Sequence, residues 1–109
     1  MKIKIIAEIG INHKGSEEIA KRLIDSASSA NCWGIKFQYR NLEKFYSTTD
    51  EIGDEIIYDE LNRSNLSLRS LKNLREYAQN KKLKVGISFF TNDDYLEIEN
   101  YDNEYDFYK

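Results

Sequence analysis

The chain has 109 residues and a mass of 12.9 kDa, with 40% apolar and 32% charged residues, a composition typical of a globular domain. Sixteen Lys and Arg against nineteen Asp and Glu give a formal net charge of -3, so no general basic field draws the protein to nucleic acid or to anionic lipid. The longest apolar run, 3–7, is interrupted by Lys4 and is too short to span a bilayer, and no segment has the pattern of a signal peptide. We therefore expect a cytoplasmic protein with neither nucleic-acid nor membrane partners.

The cysteine and histidine content of the sequence does not favour a metal site or a catalytic thiol. Cys32 is the single cysteine, so it cannot form an internal disulfide, and His13 is the single histidine. Together they form no metal cluster of recognisable spacing, so the sequence predicts no metal ligand in this chain. We interpret Cys32 as a small packed residue because no base lies near it in the sequence.

The first third of the chain predicts a strand, a loop, a helix and a second strand. The isoleucine-rich segment 3–8 is typical of a strand, and a loop follows from Gly10 to Gly15. Ser16 then caps a helix that ends near Asn31, with acidic residues in its first turn. Residues at helical spacing predict one apolar face on this helix: Ile19, Leu23, Ile24, Ala27 and Ala30. The second strand is GIKFQ, Gly34 to Gln38.

A polar stretch follows, with a short helix predicted near 56–61. Ser67 caps the next clear helix, whose apolar stripe comprises Leu68, Leu71, Leu74, Tyr77 and Ala78. Val85 to Phe90 predicts a third strand, 95–98 a brief helix, and 106–109 the start of a fourth strand.

The order strand, helix, strand, helix, strand, helix, strand predicts an α/β fold with a parallel sheet. We expect residues 1–109 to form one partial domain, with no second domain, because no linker or repeat divides them. An unrelated open α/β domain of the flavodoxin type remains an alternative at this point. It would be favoured if Lys36 and Gln38 pointed into a helix-covered core rather than towards Glu8.

In parallel α/β folds, the working groups lie at the carboxyl ends of the strands. Glu8 ends the first predicted strand, Lys36 and Gln38 lie two apart on the second and face the same way, and Lys109 ends the fourth. Two lysines and a glutamate that converge at this edge suit an anionic small molecule, because ammonium groups neutralise carboxylate or phosphate.

Four segments of the chain carry a family resemblance: AEIGINHKG after the first strand, IKFQ on the second, LSLRSLKNLREYAQNKKLKVGIS, and the final DFYK. Together they resemble the N-terminal half of the N-acetylneuraminate (sialic acid) synthase family. The resemblance implies the N-terminal half of a (β/α)8 TIM-type barrel, cut after the start of its fourth strand. It also implies a transferase that condenses phosphoenolpyruvate with an N-acetylated amino sugar, such as N-acetylmannosamine. The products are a nine-carbon 2-keto sugar acid and phosphate.

Site roles follow from this resemblance position by position. Glu8 is expected beside the reacting carbons, Lys36 and Lys109 on phosphoenolpyruvate, and Gln38 on the sugar. Asn12 and His13 match the loop that shapes the site. The family uses a divalent metal, manganese or magnesium, whose histidine ligands lie in the second half of the barrel and are absent here.

One departure from the family pattern concerns the end of the third strand. The family has a Ser-Thr-Pro-Phe run where this chain reads Ser88, Phe89, Phe90, Thr91, so Phe89 replaces a hydroxyl expected to help bind phosphate. We expect the isolated chain to be inactive. The rival hypothesis is a non-catalytic half-barrel that pairs with itself, as a homo-oligomer, or with a separate second half.

Overall fold

The computed structural model describes residues 3–41 and 63–109. Among these residues, four parallel strands form one sheet in the order β1-β2-β3-β4, with three complete helices between them. The elements in chain order are β1 (Ile6–Gly10), α1 (Glu17–Ser29), β2 (Gly34–Gln38), α2 (Leu68–Asn80), β3 (Lys84–Ser88), α3 (Asn92–Tyr101) and β4 (Phe107–Tyr108). The predicted α/β fold class is confirmed. The short helix predicted near 56–61 lies outside the described residues.

Each of these three helices begins at a hydroxyl side chain that accepts a backbone N–H of the first turn. The Ser16 side chain accepts from Ile19 at 3.1 Å, Ser67 from Ser70 at 3.1 Å, and Thr91 from Asp94 at 3.0 Å. Such caps satisfy donors that have no partner within the helix. The two predicted caps, Ser16 and Ser67, are therefore confirmed.

Alternation along the strands divides the sheet into two faces. One face packs under the helices and carries the fully buried strand residues Ile9, Ile35, Phe37, Val85 and Ile87. The opposite face, here called the inner face, carries Lys36 and Gln38, which register with Gly86 and Ser88 of β3. Polar side chains thus lie on the face that is not covered by a helix of the described residues.

Several predicted boundaries were wrong by a few residues. β1 begins at Ile6 rather than residue 3, and Ile3 and Ile5 are exposed. β3 ends at Ser88, and α3 begins at Asn92, not 95, because Thr91 caps it. On α1 the buried residues are Ala20, Ile24 and Ala27, whereas Ile19 lies about 100° from Ala20 around the axis and Ala30 is the C-cap.

The strand order excludes the flavodoxin alternative. A flavodoxin-type sheet reverses its strand order at a switch point, whereas these strands follow one another in sequence order. Connections between parallel strands are right-handed as a rule, so successive connections in one direction place the described helices on one face, which is the arrangement of a barrel wall.

Candidate functional site

An ion pair between β1 and β2 forms the centre of the candidate site. Glu8 and Lys36 are direct partners in the parallel register, and Lys36 Nζ lies 2.6 Å from Glu8 Oε2. The Lys36 side chain is only 12% exposed, whereas that of Glu8 is 52% exposed. The lysine therefore lies beneath the carboxylate, on the inner face. The sequence predicted that Glu8 ends the first strand, and this was wrong, because Glu8 lies in the middle of β1.

Gly10 allows the Gln38 side chain to lie close to Glu8. The strand pairing shifts between Glu8 and Gly10, and Gly10 has a φ of +53°. A Cβ at this position would lie 3.3 Å from both Glu8 Oε1 and Gln38 Oε1, so the glycine lies between the two side chains. The left-handed backbone and the close approach both favour glycine. Glu8, Lys36 and Gln38 therefore form one cluster, which we call the strand-end cluster.

The loop 11–15 is shaped from within by His13. Its imidazole is buried, and its Nδ1 accepts the backbone N–H of Gly15 at 3.0 Å. Burial lowers the pKa of His13, although a hydrogen bond to the backbone of Gly10 opposes this shift. The neutral ring holds the two glycines in place, whereas Asn12 is exposed. This placement fits a structural part in the loop; that the loop shapes a binding site stays a prediction.

Lys109 lies apart from the cluster. It follows β4 and continues the ladder, with its N–H donating to the Ile87 carbonyl and its carbonyl accepting from the Phe89 N–H. β3 separates it from β2, so its backbone lies roughly 10 Å from that strand. Its register places it level with Ser88 on the inner face, and its side chain is exposed. The structure therefore brings three of the four predicted strand-end residues together and places the fourth across β3.

Asp94 clamps the loops that follow β2 and β3, which the sequence analysis missed. This buried carboxylate accepts the backbone N–H of Asn41 at 3.1 Å and that of Phe90 at 3.4 Å. Glu97 adds a bond from the Tyr39 hydroxyl at 2.8 Å, and burial followed by this bond raises the pKa of Tyr39 well above its usual range. The signal was present, since Thr91 and Asp94 form the Thr-x-x-Asp pattern of a capping box.

The aromatic pair after β3 divides between the two faces. Phe89 packs against Tyr95 of α3 with ring centroids 5.1 Å apart, so it lies on the helix side. Phe90 is exposed, and the Arg40 guanidinium lies 3.8 Å from the centre of its ring. The position predicted to lack a phosphate-binding hydroxyl is thus occupied by a packing residue.

Residues 3–41 and 63–109 offer few features of other kinds of site. No group of three or more His, Cys, Asp or Glu in these ranges is placed to hold a metal ion. Cys32 is half-buried against the hydrophobic core, as its interpretation as a packed residue requires. Among the described helices, none has the length and apolar character needed to cross a membrane. The polar chemistry of the described inner face is therefore that of the strand-end cluster and its neighbours.

Sequential parallel strands, helices on one face and a polar cluster on the other define part of an α/β barrel-type protein. Likenesses to two proteins make this more specific. A sialic acid synthetase from Leptospira borgpetersenii, solved in complex with citrate, superposes with a TM-score of 0.76 at 26% identity, over 94% of this chain and 34% of that one. The N-acetylneuraminate-9-phosphate synthase of Drosophila melanogaster is 50% identical over 40 residues, 37% of this chain and 11% of that protein.

An uncharacterised protein of Methanocaldococcus jannaschii is 39% identical over 88 residues, which is 80% of this chain and 23% of that protein. No family model matches the chain. The likenesses to the two synthases confirm the predicted resemblance to the N-acetylneuraminate synthase family. The chain spans about a quarter of the archaeal relative and about a third of the leptospiral enzyme.

Proposed function

We propose that the chain supplies the first half of the barrel of an enzyme that condenses phosphoenolpyruvate with an N-acetylated amino sugar, N-acetylmannosamine or a related one. Carbon 3 of phosphoenolpyruvate forms a bond with the sugar's aldehyde carbon. Water adds at carbon 2, and phosphate leaves with cleavage of the carbon–oxygen bond, which gives a nine-carbon 2-keto sugar acid.

The observation that carries this proposal is the Glu8–Lys36 pair beside Gln38 on the inner face. An ammonium group has three donors, so Lys36 can retain Glu8 while it binds an oxyanion of phosphoenolpyruvate. The half-exposed Glu8 carboxylate can accept a proton from the water that adds at carbon 2. Gln38 offers an amide to the sugar, and Lys109, the residue after β4, contributes a second positive charge.

The divalent metal of the family does not fit the described residues of this chain. They hold no suitable cluster of ligands, so the manganese or magnesium ion expected in the complete enzyme requires ligands from elsewhere.

The rival proposal is a non-catalytic half-barrel that pairs with a second copy or with a separate second half. It is favoured by the exposed side chains on β1 and before it, Ile3, Ile5 and Ile6, which are 84%, 60% and 44% exposed. Intact mass measurement on the protein from its source cells separates the two. A mass of roughly three times 12.9 kDa supports a single-chain synthase. A mass of 12.9 kDa, with a defined dimer or complex in light scattering, supports pairing.

The catalytic proposal is tested with Lys36→Ala in the complete native protein or complex. We expect the catalytic efficiency with phosphoenolpyruvate to fall by about 10- to 150-fold, because a charge-assisted contact contributes about 1.5 to 3 kcal/mol. Lys21→Ala, on the exposed surface of α1, is the matched control and should leave the reaction unchanged. Unchanged use of phosphoenolpyruvate by Lys36→Ala would remove Lys36 from the site. Metal-dependent phosphate release by the isolated 109-residue chain would contradict its expected inactivity.

A further inference from the structure

Arg40 and Phe90 form a polar-aromatic pair above the strand-end cluster that no sequence motif indicated. The Arg40 guanidinium carbon lies 3.8 Å from the centroid of the Phe90 ring. A guanidinium at this distance is attracted to the negative face of the ring. Phe90 remains 46% exposed, so the pair lies at the surface of the site rather than in the core.

Two independent contacts place this pair on the inner face. Tyr39 points to the helix layer, where its hydroxyl bonds Glu97, and its N–H continues the ladder to the Ser88 carbonyl. The neighbouring positions, Gln38 and Arg40, therefore point to the opposite face. Phe89 likewise packs against α3, which directs Phe90 to the inner face beside Ser88.

The backbone of the pair is fixed by one carboxylate. Asp94 accepts the N–H of Asn41, which follows Arg40, and the N–H of Phe90 itself. Because Asp94 is 2% exposed, these bonds are shielded from water. The two loops are therefore held at a constant separation, and the guanidinium is positioned before any ligand arrives.

Spacing places Arg40 within reach of a ligand on Lys36. Residues 36, 38 and 40 follow one another along one face, so the backbones of Lys36 and Arg40 are roughly 13 Å apart. Two long cationic side chains can span that gap around a small dianion. A guanidinium has five N–H donors in a planar fork, which matches phosphate oxygens and leaves donors for other partners.

We propose that Arg40, positioned by Phe90, binds the phosphate group of the phosphoenolpyruvate substrate. This proposal rests on the proposed function. It also accounts for the departure at the end of β3: where the family pattern has a hydroxyl, this chain has the packing residue Phe89, and the adjacent Phe90 supports a guanidinium instead.

The test measures KM for phosphoenolpyruvate and competitive inhibition by inorganic phosphate and by pyruvate, in the complete native protein or complex. Arg40→Gln should raise KM and the inhibition constant of phosphate by about 10- to 100-fold, with little change for pyruvate. Arg40→Lys should recover part of the loss, since it keeps the charge but not the fork. Phe90→Leu should raise both constants by about two- to fivefold, and Phe90→Tyr should not.

Arg69→Gln, on the exposed surface of α2, makes the same charge change away from the site and should leave all three constants unchanged. If Arg40→Gln matches this control while Lys36→Ala loses phosphoenolpyruvate, the phosphate role of Arg40 is wrong and the proposed function stands. If inhibition by pyruvate weakens instead of inhibition by phosphate, Arg40 binds the carboxylate and the phosphate assignment is overturned. If the unaltered protein neither binds nor uses phosphoenolpyruvate, the proposed function fails first.

Discussion

The ion pair between Arg75 and Asp102 offers the clearest test of what holds β4 against the sheet. Arg75 lies on α2 with its side chain 2% exposed, and its Nε lies 2.6 Å from Oδ2 of Asp102, the C-cap residue that follows α3. Burial by itself lowers the pKa of the Arg75 guanidinium, but the hydrogen bond to Asp102 and nearby negative charges outweigh it, so the pKa is raised. The pair joins α2 to the segment that leads into β4 and hence to Lys109.

Asp102→Ala should destabilise the protein by about 2 to 4 kcal/mol. Removing one member of a buried pair typically costs about 3 to 5 kcal/mol, because the remaining charge loses its compensation. Two other partners reduce this cost: the Gln79 side chain accepts from Nη1 at 2.7 Å, and Glu104 lies 3.4 Å from Nη2. A loss of this size is a large fraction of the stability of a small domain.

Urea unfolding of the complete protein, followed by circular dichroism, measures the loss. Glu104→Ala is the matched control; its side chain is 72% exposed, so its removal should cost less than about 1 kcal/mol. Replacing both partners, Arg75→Met with Asp102→Leu, should return the free energy of unfolding to within about 1 kcal/mol of the original. If Asp102→Ala costs no more than Glu104→Ala, the pair does not hold α2 to this segment and the reasoning is wrong.

Three further changes test the loops around the site. His13→Asn should reduce the loss of stability on acidification. The pKa of His13 is lowered in the folded protein, so the unfolded chain binds the proton more readily, and the original protein loses stability as the pH falls through about 6.5 towards the folded pKa. Urea unfolding midpoints at pH 8 and pH 5, compared between the two proteins, measure this difference. Gly15→Ala should cost more stability than Gly10→Ala, by roughly 1 kcal/mol or more in thermal unfolding. A Cβ at Gly15, where φ is +78°, meets the backbone carbonyl of Arg63, whereas a Cβ at Gly10 meets only side-chain atoms. Equal costs for the two substitutions would contradict this reasoning. Asp94→Ala should speed amide hydrogen exchange at Asn41 and Phe90, whereas the exposed neighbour Asp93→Ala should not, and unchanged exchange in both would exclude the clamp.

The sequence predicted best those features that depend on local chemistry. Ser16 and Ser67 are N-caps because a hydroxyl before an apolar periodic run has a partner within the next turn. The period of two placed Lys36 and Gln38 on one face, and both lie on the inner face. The β1 boundary failed because Ile3 and Ile5 have high strand propensity but lie outside the ladder, where they are exposed.

Features that depend on distant partners could not be predicted in this way. A mid-helix arginine is ordinarily exposed, and the burial of Arg75 depends on a distant partner, Asp102, which lies 27 residues later in the chain. The contact between Arg40 and Phe90 likewise depends on the parallel register of β2 and β3, which no local pattern specifies. Asp94 is buried because it bonds two loops, one at Asn41, 53 residues earlier in the chain, and one at Phe90, just before its own helix.

The inner face carries apolar rings beside the polar cluster, which explains why the site needs cover. The Phe107 ring lies over Gly86, the register partner of Lys36, and Trp33 stacks on it with centroids 5.9 Å apart, so the two rings form an apolar layer next to the strand-end cluster. Parallel sheets are normally covered on both faces, yet among the described residues β1 pairs only with β2, and Ile6 is exposed. Cover over this apolar layer would also exclude water from Glu8 and lower the local dielectric, which strengthens each charge interaction in the cluster. We therefore expect that whatever completes the sheet raises the affinity of Lys36 and Arg40 for an anion, besides protecting the apolar layer.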